Sequence, residues 1–263
     1  MFRDSGKITL NKCEKGEICK MKPAAIFKKI CTMVIISAMI IGTAGCAGTV
    51  SDEGDGTITI GGDSQSYTAG GGNVSAAIDK IEIEWVSGEV SISSGNVQEI
   101  SFYEESSKEQ DENHSLHYTI DGGTLKIKYS KPGKTIHISD GDKKLFVTVP
   151  EKINLKELDI ENVSSEVKVD VSGLLREFSV ETVSGNVTAV LDNAADEVSI
   201  DSVSADVELR IPDVGFSMEF EGVSGDFSSD FDVEIRGDFF VHGSGEKSFE
   251  ADTVSGNVAV NRI

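Results

Sequence analysis

From Lys80 onward, apolar and polar residues alternate with the two-residue period of half-buried strands, and the alternation breaks at one recurring signature. It reads Val86-Ser87-Gly88-Glu89-Val90, then Val163-Ser164-Ser165-Glu166-Val167 and Val183-Ser184-Gly185-Asn186-Val187. It returns as Val203-Ser204-Ala205-Asp206-Val207, Val223-Ser224-Gly225-Asp226-Phe227 and Val254-Ser255-Gly256-Asn257-Val258. The middle four copies lie 20 residues apart. Apolar columns flank each signature: Ile81, Leu158, Phe178, Val198, Met218 and Phe249 five residues before the first Val, and Ile92, Val169, Ala189, Leu209 and Val260 six after. Ser229 alone breaks the second column. Each unit therefore reads as strand, corner, strand and return turn. Neither strand can bury its apolar face alone, so the units must stack as a solenoid.

The predicted fold is all-β: a single-stranded, right-handed parallel β-helix with rungs of about 20 residues. Two antiparallel hairpins, Leu116–Tyr129 and Ile136–Pro150, should flank the stack near its start. An insertion of about 11 residues, around Asp238–Gly245, separates the last two corners. The closing segment Val258–Ile263 would be the terminal rung, with an open edge.

The segment before the repeats is different in kind. Residues 1–45 hold eight basic and three acidic residues, net +5, against 16 basic and 42 acidic in the remainder, net −26. Lys22, Lys28 and Lys29 precede an apolar run from Ile30 to Ile41, too short for a typical spanning helix. Gly42-Thr43-Ala44-Gly45-Cys46 follows, so residues 21–45 read as a signal peptide. Ala44-Gly45-Cys46 resembles a bacterial lipobox, although Thr43 stands where Leu is commonest. That resemblance implies cleavage before Cys46, a lipid on its thiol and an extracytoplasmic, membrane-anchored protein. Residues 1–20 read as an upstream extension, with translation starting at Met21 after the purine-codable Glu14-Lys15-Gly16-Glu17. Residues 46–79, rich in Gly, Ser and Asp, read as a tether with a mean span of about 30 Å. Residues 80–263 form the folded domain. Of the four cysteines, the mature chain keeps only Cys46, so neither a disulfide nor a cysteine metal site is expected.

The overall formal charge of −21 sets the chain against phosphate backbones and excludes a nucleic-acid binder. No nucleophile, zinc or phosphate-loop motif occurs, the four histidines (His114, His117, His137, His242) read as exposed strand or loop residues, and no catalytic residue or cofactor is assigned. The basic residues of the repeats, Lys168, Arg176, Arg210, Arg236 and Lys247, share no column, which argues against a polysaccharide-cleaving groove.

One column invites chemistry. Two residues before each corner Val stand Glu84, Glu161, Glu181, Asp201, Glu221 and Asp252. Three after it stand Glu89, Glu166, Asn186, Asp206, Asp226 and Asn257. In register, neighbouring carboxylates at about 5 Å repel by about 3 kcal/mol at an effective dielectric of 20. A solvated, anti-aggregation face, Ca²⁺ as the candidate cation, or a basic partner would each relieve that repulsion.

The serial Val-Ser-Gly-Asx-Val corners, the Val147-Thr148-Val149-Pro150 lead-in and the closing Gly243-Ser244-Gly245-Glu246-Lys247 resemble one family over about residues 80–263. It is the bacterial "putative-adhesin" domain of unknown function. The resemblance implies a β-helix-like, non-catalytic envelope protein that binds or scaffolds a glycan or protein partner. The alternatives are a regulator of envelope stress acting through a membrane protein, and a carbohydrate-active enzyme.

Overall fold

The computed structural model describes residues 57–62, 64–137, 143–173 and 175–263. The upstream extension, the signal segment, Cys46 and the first part of the tether lie outside these residues. The described chain is all-β, with no helix. Its first nine strands are β1 (Thr57–Thr59), β2 (Thr68–Ala69), β3 (Gly72–Val74), β4 (Lys80–Gly95), β5 (Ile100–Ser106), β6 (His117–Asp121), β7 (Thr124–Lys128), β8 (Thr135–His137) and β9 (Lys143–Pro150). Next come β10 (Glu157–Val171), β11 (Glu177–Thr182), β12 (Val187–Leu191), β13 (Glu197–Ser202), β14 (Val207–Ile211), β15 (Phe216–Gly222) and β16 (Phe227–Ser229). The chain closes with β17 (Glu234–Arg236), β18 (Phe239–His242), β19 (Lys247–Thr253) and β20 (Val258–Arg262).

Each repeat is one rung bent at its corner, and parallel pairing joins rungs on both sides of the bend. The first halves pair β4 with β10, β10 with β11, β11 with β13, β13 with β19 and β19 with β15. The second halves pair β4 with β10, then β12, β14, β20 and β16. The apolar columns turn inward from both halves: Ile81, Leu158, Phe178, Val198, Met218 and Phe249 are all buried, as are Ile92, Val169, Ala189, Leu209 and Val260. Each of these side chains larger than Ala189 stabilises the fold by about 1.5–3 kcal/mol. Ser229, the polar exception in that column, is buried too and donates its hydroxyl to Val260 O at 2.6 Å.

The corner signature now has a reason at each position. The Ser hydroxyls of Ser164, Ser184, Ser204 and Ser255 donate to the carbonyls of Val86, Val163, Val183 and Val203 on the next rung, at 3.0–3.4 Å. The small residue after Ser faces that neighbour's backbone. A Cβ added to Gly256 would lie 1.8 Å from Ala205 O, and one on Gly225 1.8 Å from Gly256 O. Gly185 combines a φ of 101° with a would-be contact of 2.2 Å to Ser165 O. Inside the bend, the residue before each Val is mostly small and polar. Asn162 takes the Ser165 amide at 2.9 Å and donates to Thr182 Oγ1 at 3.1 Å; Ser202 and Thr253 accept the amides of Ala205 and Gly256. The corner Val itself is half-buried in most rungs and exposed at Val223.

The winding differs from the expected coil. The last rung, β19–β20, is inserted between β13–β14 and β15–β16, so rung order in space does not follow the chain. The expected open edge at Val258–Ile263 is therefore absent: β20 is paired on both sides. The insertion explains the order. After β16 the chain turns through β17 and β18, and β18 runs antiparallel along the outer side of β15. With that edge taken, the returning chain is left the inner side, where Phe249 stacks on Phe216 at 5.3 Å.

The other end also departs from expectation. β6 and β7 form the first expected hairpin. The second does not form, because β8 pairs with β1 and β9 runs parallel to β4 and antiparallel to β5. β7 and β9 together make one more rung outside β4, and the corner signature is missing between them. Part of the expected tether joins the fold as well: β1, β2 and β3 pair with β8, β6 and β5.

Gly256→Ala should cost about 2–4 kcal/mol of unfolding free energy, because backbone must move to admit the methyl group. Gly62→Ala, whose Cβ would meet nothing closer than 3.7 Å, should change stability by less than about 1 kcal/mol. Denaturant unfolding of both variants checks the contrast.

Candidate functional site

Register brings the predicted acidic column together. Glu84 lies opposite Glu161, Glu161 opposite Glu181, Glu181 opposite Asp201, Asp201 opposite Asp252, and Asp252 opposite Glu221. Strand spacing near 4.8 Å makes the stretch from Glu161 to Glu221 about 20 Å long. Flanking columns add Glu82, Asp159, Glu219 and Glu250 on one side, with Glu157, Glu177 and Glu197 beyond.

Cations gather at one end of this face. Lys128 lies opposite Glu84 and forms an ion pair with it. Lys126 reaches Glu82 at 2.9 Å, and Lys80 reaches Glu82, Glu157 and Asp159 at 3.1, 3.6 and 2.6 Å. Burial pushes the Glu82 carboxyl up, but hydrogen bonds from Lys126 and Lys80 outweigh it and hold its pKa below the usual range. Past these lysines the balance reverses. Burial and the charges of Glu84 and Glu181 push Glu161 up to about 7, and burial with the Asp159 charge raises Glu181. The row thus relieves part of its repulsion by holding protons.

The second column behaves differently. In space it runs Lys144, Glu89, Glu166, Asn186, Asp206, Asn257 and Asp226. Because the last rung is inserted, amide and carboxylate alternate from Asn186 to Asp226, whereas chain order would set Asp206 beside Asp226. Asn257 donates from its backbone and side chain to Asp206 Oδ1 at 2.9 and 3.0 Å, and Asn257 Oδ1 accepts the Asp226 amide at 3.2 Å. From Asn186 to Asp226 this row bonds along itself, whereas every member of the first row from Glu84 to Glu221 is an acid.

Among the described residues, no three His, Cys, Asp or Glu side chains converge as a metal centre. The acidic row is linear, so its chemistry is that of a charged strip. The scattered basic residues are engaged locally, Lys168 with Glu89 and Glu166, and Arg210 with Glu208. His117, expected exposed, is buried, with Nδ1 2.9 Å from Ser115 O, where β6 is paired between β2 and β7 and His117 lies opposite Ala69 and Lys128. His114 is exposed beside Asp111, and half-buried His242 contacts Asp213.

One buried charge escaped the sequence reading. Lys143 is 1% exposed, stands over the Tyr129 and Trp85 rings at 4.2 and 5.3 Å, and pairs with Glu104 at 2.5 Å. It also donates to the carbonyls of Tyr129 and His114, closing the gap left by the missing corner. Desolvation lowers its pKa against the pull of Glu104. Strand parity carries the signal: Lys143 shares its face with Leu145, Val147 and Val149, all buried.

An all-β stack of bent, parallel-paired rungs with antiparallel caps is the class this architecture defines. The Toastrack DUF4097 family model matches residues 78–189 and again 170–261, and the chain belongs to that family. A putative cell adhesion protein from Clostridium sporogenes ATCC 15579 is similar in structure, with a TM-score of 0.55 and 14% identity, over 75% of this chain and 98% of that one. A putative adhesin from Bacteroides fragilis NCTC 9343 aligns over 76% of this chain and 98% of its own at 13% identity, with a TM-score of only 0.30. At these identities the first likeness speaks for the fold, and the second carries no argument. No curated protein matches.

The Glu161 carboxyl makes stability pH-dependent. Below about pH 4.5 the folded and unfolded chains both hold its proton. Between 4.5 and about 7 only the folded chain does, so stability falls as pH rises, by up to about 3 kcal/mol, and the loss is complete above 7. Glu161→Gln should flatten this decline and be more stable than wild type at pH 8, as measured by urea unfolding at pH 5 and 8.

Proposed function

We propose that this chain is a non-catalytic, adhesin-like binding module of the bacterial envelope, lipid-anchored outside the cytoplasm through Cys46. The observation that carries the reading is the acidic row from Glu161 to Glu221, regular and about 20 Å long, half-buried at Glu161, Glu181, Asp201 and Glu221 and buried at Asp252. Its repulsion is a standing cost that an extended cationic partner would relieve, and its field would steer such a partner onto the sheet. The chain's own lysines, Lys128, Lys126 and Lys80, make that kind of contact at the near end. Ca²⁺ bridging between neighbouring carboxylates is the competing way to meet the same charge. The rungs are taken to wind right-handed, the sense that parallel crossovers adopt.

Neutralising Glu161, Glu181, Asp201 and Glu221 to Gln or Asn should abolish retention of solubilised envelope material by the full chain. Wild-type retention should itself fall steeply between low and physiological salt. Retention that survives the neutralisation would overturn the acidic face as the binding surface. Capture of one specific membrane protein would shift the role toward regulation, and a melting temperature raised by Ca²⁺ would favour the metal.

Cys46→Ser should move the protein from the membrane fraction to the soluble extracytoplasmic fraction and abolish incorporation of labelled fatty acid. Unchanged membrane retention would rule out the lipid anchor.

A further inference from the structure

The rung β19–β20 follows every other described strand in the chain, yet it lies inside the stack. It is paired on both sides, with β13–β14 on one and β15–β16 on the other. Val198 and Met218 both lie opposite Phe249, Ile200 and Phe220 opposite Ala251, and Val207 and Phe227 opposite Val258. Without the inserted rung those pairs would face each other in the 20-residue register that β11 keeps on β13. Insertion therefore opens a stack of two matched rungs, and the corner signature does not specify which copy of the chain provides that stack.

The connection that makes the insertion is short and tightly bent. β18 lies along one side of β15 and β19 along the other, so Gly243-Ser244-Gly245-Glu246 must cross the start of β15. It crosses at Gly215, where an added Cβ would fall 2.5 Å from Ser244 Oγ and 2.8 Å from the Ser244 amide nitrogen. Gly243 and Gly245 take φ of 58° and 69° there, and Gly243, Ser244 and Glu246 are exposed. Beyond this turn, the rung is held by residues that precede it: Lys247 pairs with Asp196, Arg262 with Asp213, Asn257 bonds to Asp206, and Ser229 donates to Val260 O. None of these contacts depends on which copy supplies the rung.

We infer that this chain pairs with a second copy of itself by exchanging β19–β20, with residues 243–246 as the hinge. Each stack then receives the other copy's rung, so every contact of the rung is kept and only the bent connection is relieved. A short, sharply bent hinge favours exchange of this kind. Each acidic row is completed by the partner's Asp252 and each Asx column by the partner's Asn257, which joins two acidic strips in one assembly. Withdrawing a rung that is paired on both sides is slow once the chain has folded, so the exchange is set during folding and rises with concentration at that stage. The inference does not depend on what the acidic row binds.

The test uses two full chains whose four native cysteines are replaced by Ser, one tagged and carrying Ser228→Cys, the other carrying Ala259→Cys. These positions lie opposite each other across β16 and β20. Unfolded together and refolded, the chains should give a tagged–untagged pair joined by a short bismaleimide, and its share should rise with concentration. Folded separately and then mixed, they should give about tenfold less. Deleting Ser244 and Gly245 shortens the crossing and should raise the exchanged share about tenfold, and inserting Gly-Ser-Gly-Ser after Gly245 should lower it as much. A monomer in every mixture, a dimer that does not link positions 228 and 259, or an exchanged share indifferent to the insertion would each overturn the inference. The insertion lengthens an exposed turn, so it decides the matter even where the deletion fails to fold.

Discussion

The structure depends on how closely one corner passes over the next. Parallel strands are about 4.8 Å apart, and the bend must keep that spacing while the chain changes direction. Backbone amides bridge the bend itself: Ser184 and Ser204 donate to Val163 and Val183, and Ser224 and Ser255 donate to Val254 and Val203. Such contact leaves no room for a side chain at the third corner position in Gly88, Gly185, Gly225 and Gly256. It also explains the polar column inside the bend. Asn162, Thr182, Ser202 and Thr253 are buried where an apolar residue would leave corner amides or carbonyls without partners.

Because the corners share the same cross-rung Ser bonds and a small third residue, the signature itself does not fix which rungs are neighbours, and the rung order is decided by less general features. The antiparallel cap formed by β17 and β18 occupies the outer side of β15, so the final rung enters between two earlier ones. That placement interleaves Asn257 between Asp206 and Asp226 and turns the second column into alternating amide and carboxylate. The first column gains nothing from it. Asp252 enters between Asp201 and Glu221, and every member of the row remains an acid. A fold able to neutralise one row by placing an amide, yet carrying an unbroken run of acids in the other, holds charge there at a cost in stability.

The rungs were legible because a two-residue period and a sterically forced corner both write themselves into sequence. Rung order was not, since Val203 and Val254 sit in equivalent signatures and nothing in the apolar columns distinguishes their neighbours. The rung made by β7 and β9 was hidden for the opposite reason: no corner signature stands between its two strands in the sequence. The acidic column was fully legible by number, and register confirms which carboxylates are neighbours. The raised proton affinity of Glu161 was only partly so. Its row predicts like-charge repulsion, but burial, the largest cause, depends on packing. Lys143 could have been found from parity alone, yet a lysine facing inward reads as an error until Glu104, Trp85 and Tyr129 surround it.

The two outward faces differ in what a partner would meet. On the first half-sheet, charge accumulates along the rungs, so recognition there would be long-range and sensitive to salt but tolerant of exact shape. On the second, the alternating Asx ladder has spent most of its hydrogen-bonding capacity internally, and the exposed aromatic surface concentrates at Tyr103 beside the antiparallel cap. Contact there would be short-range and set by stacking geometry. One stack of rungs thus presents an electrostatic strip and a small aromatic step on different faces. A strip of this kind would raise the local concentration of an oppositely charged polymer. An extended partner laid along the strip would be held by many weak contacts at once, so its binding would weaken steeply with salt and little with any single substitution.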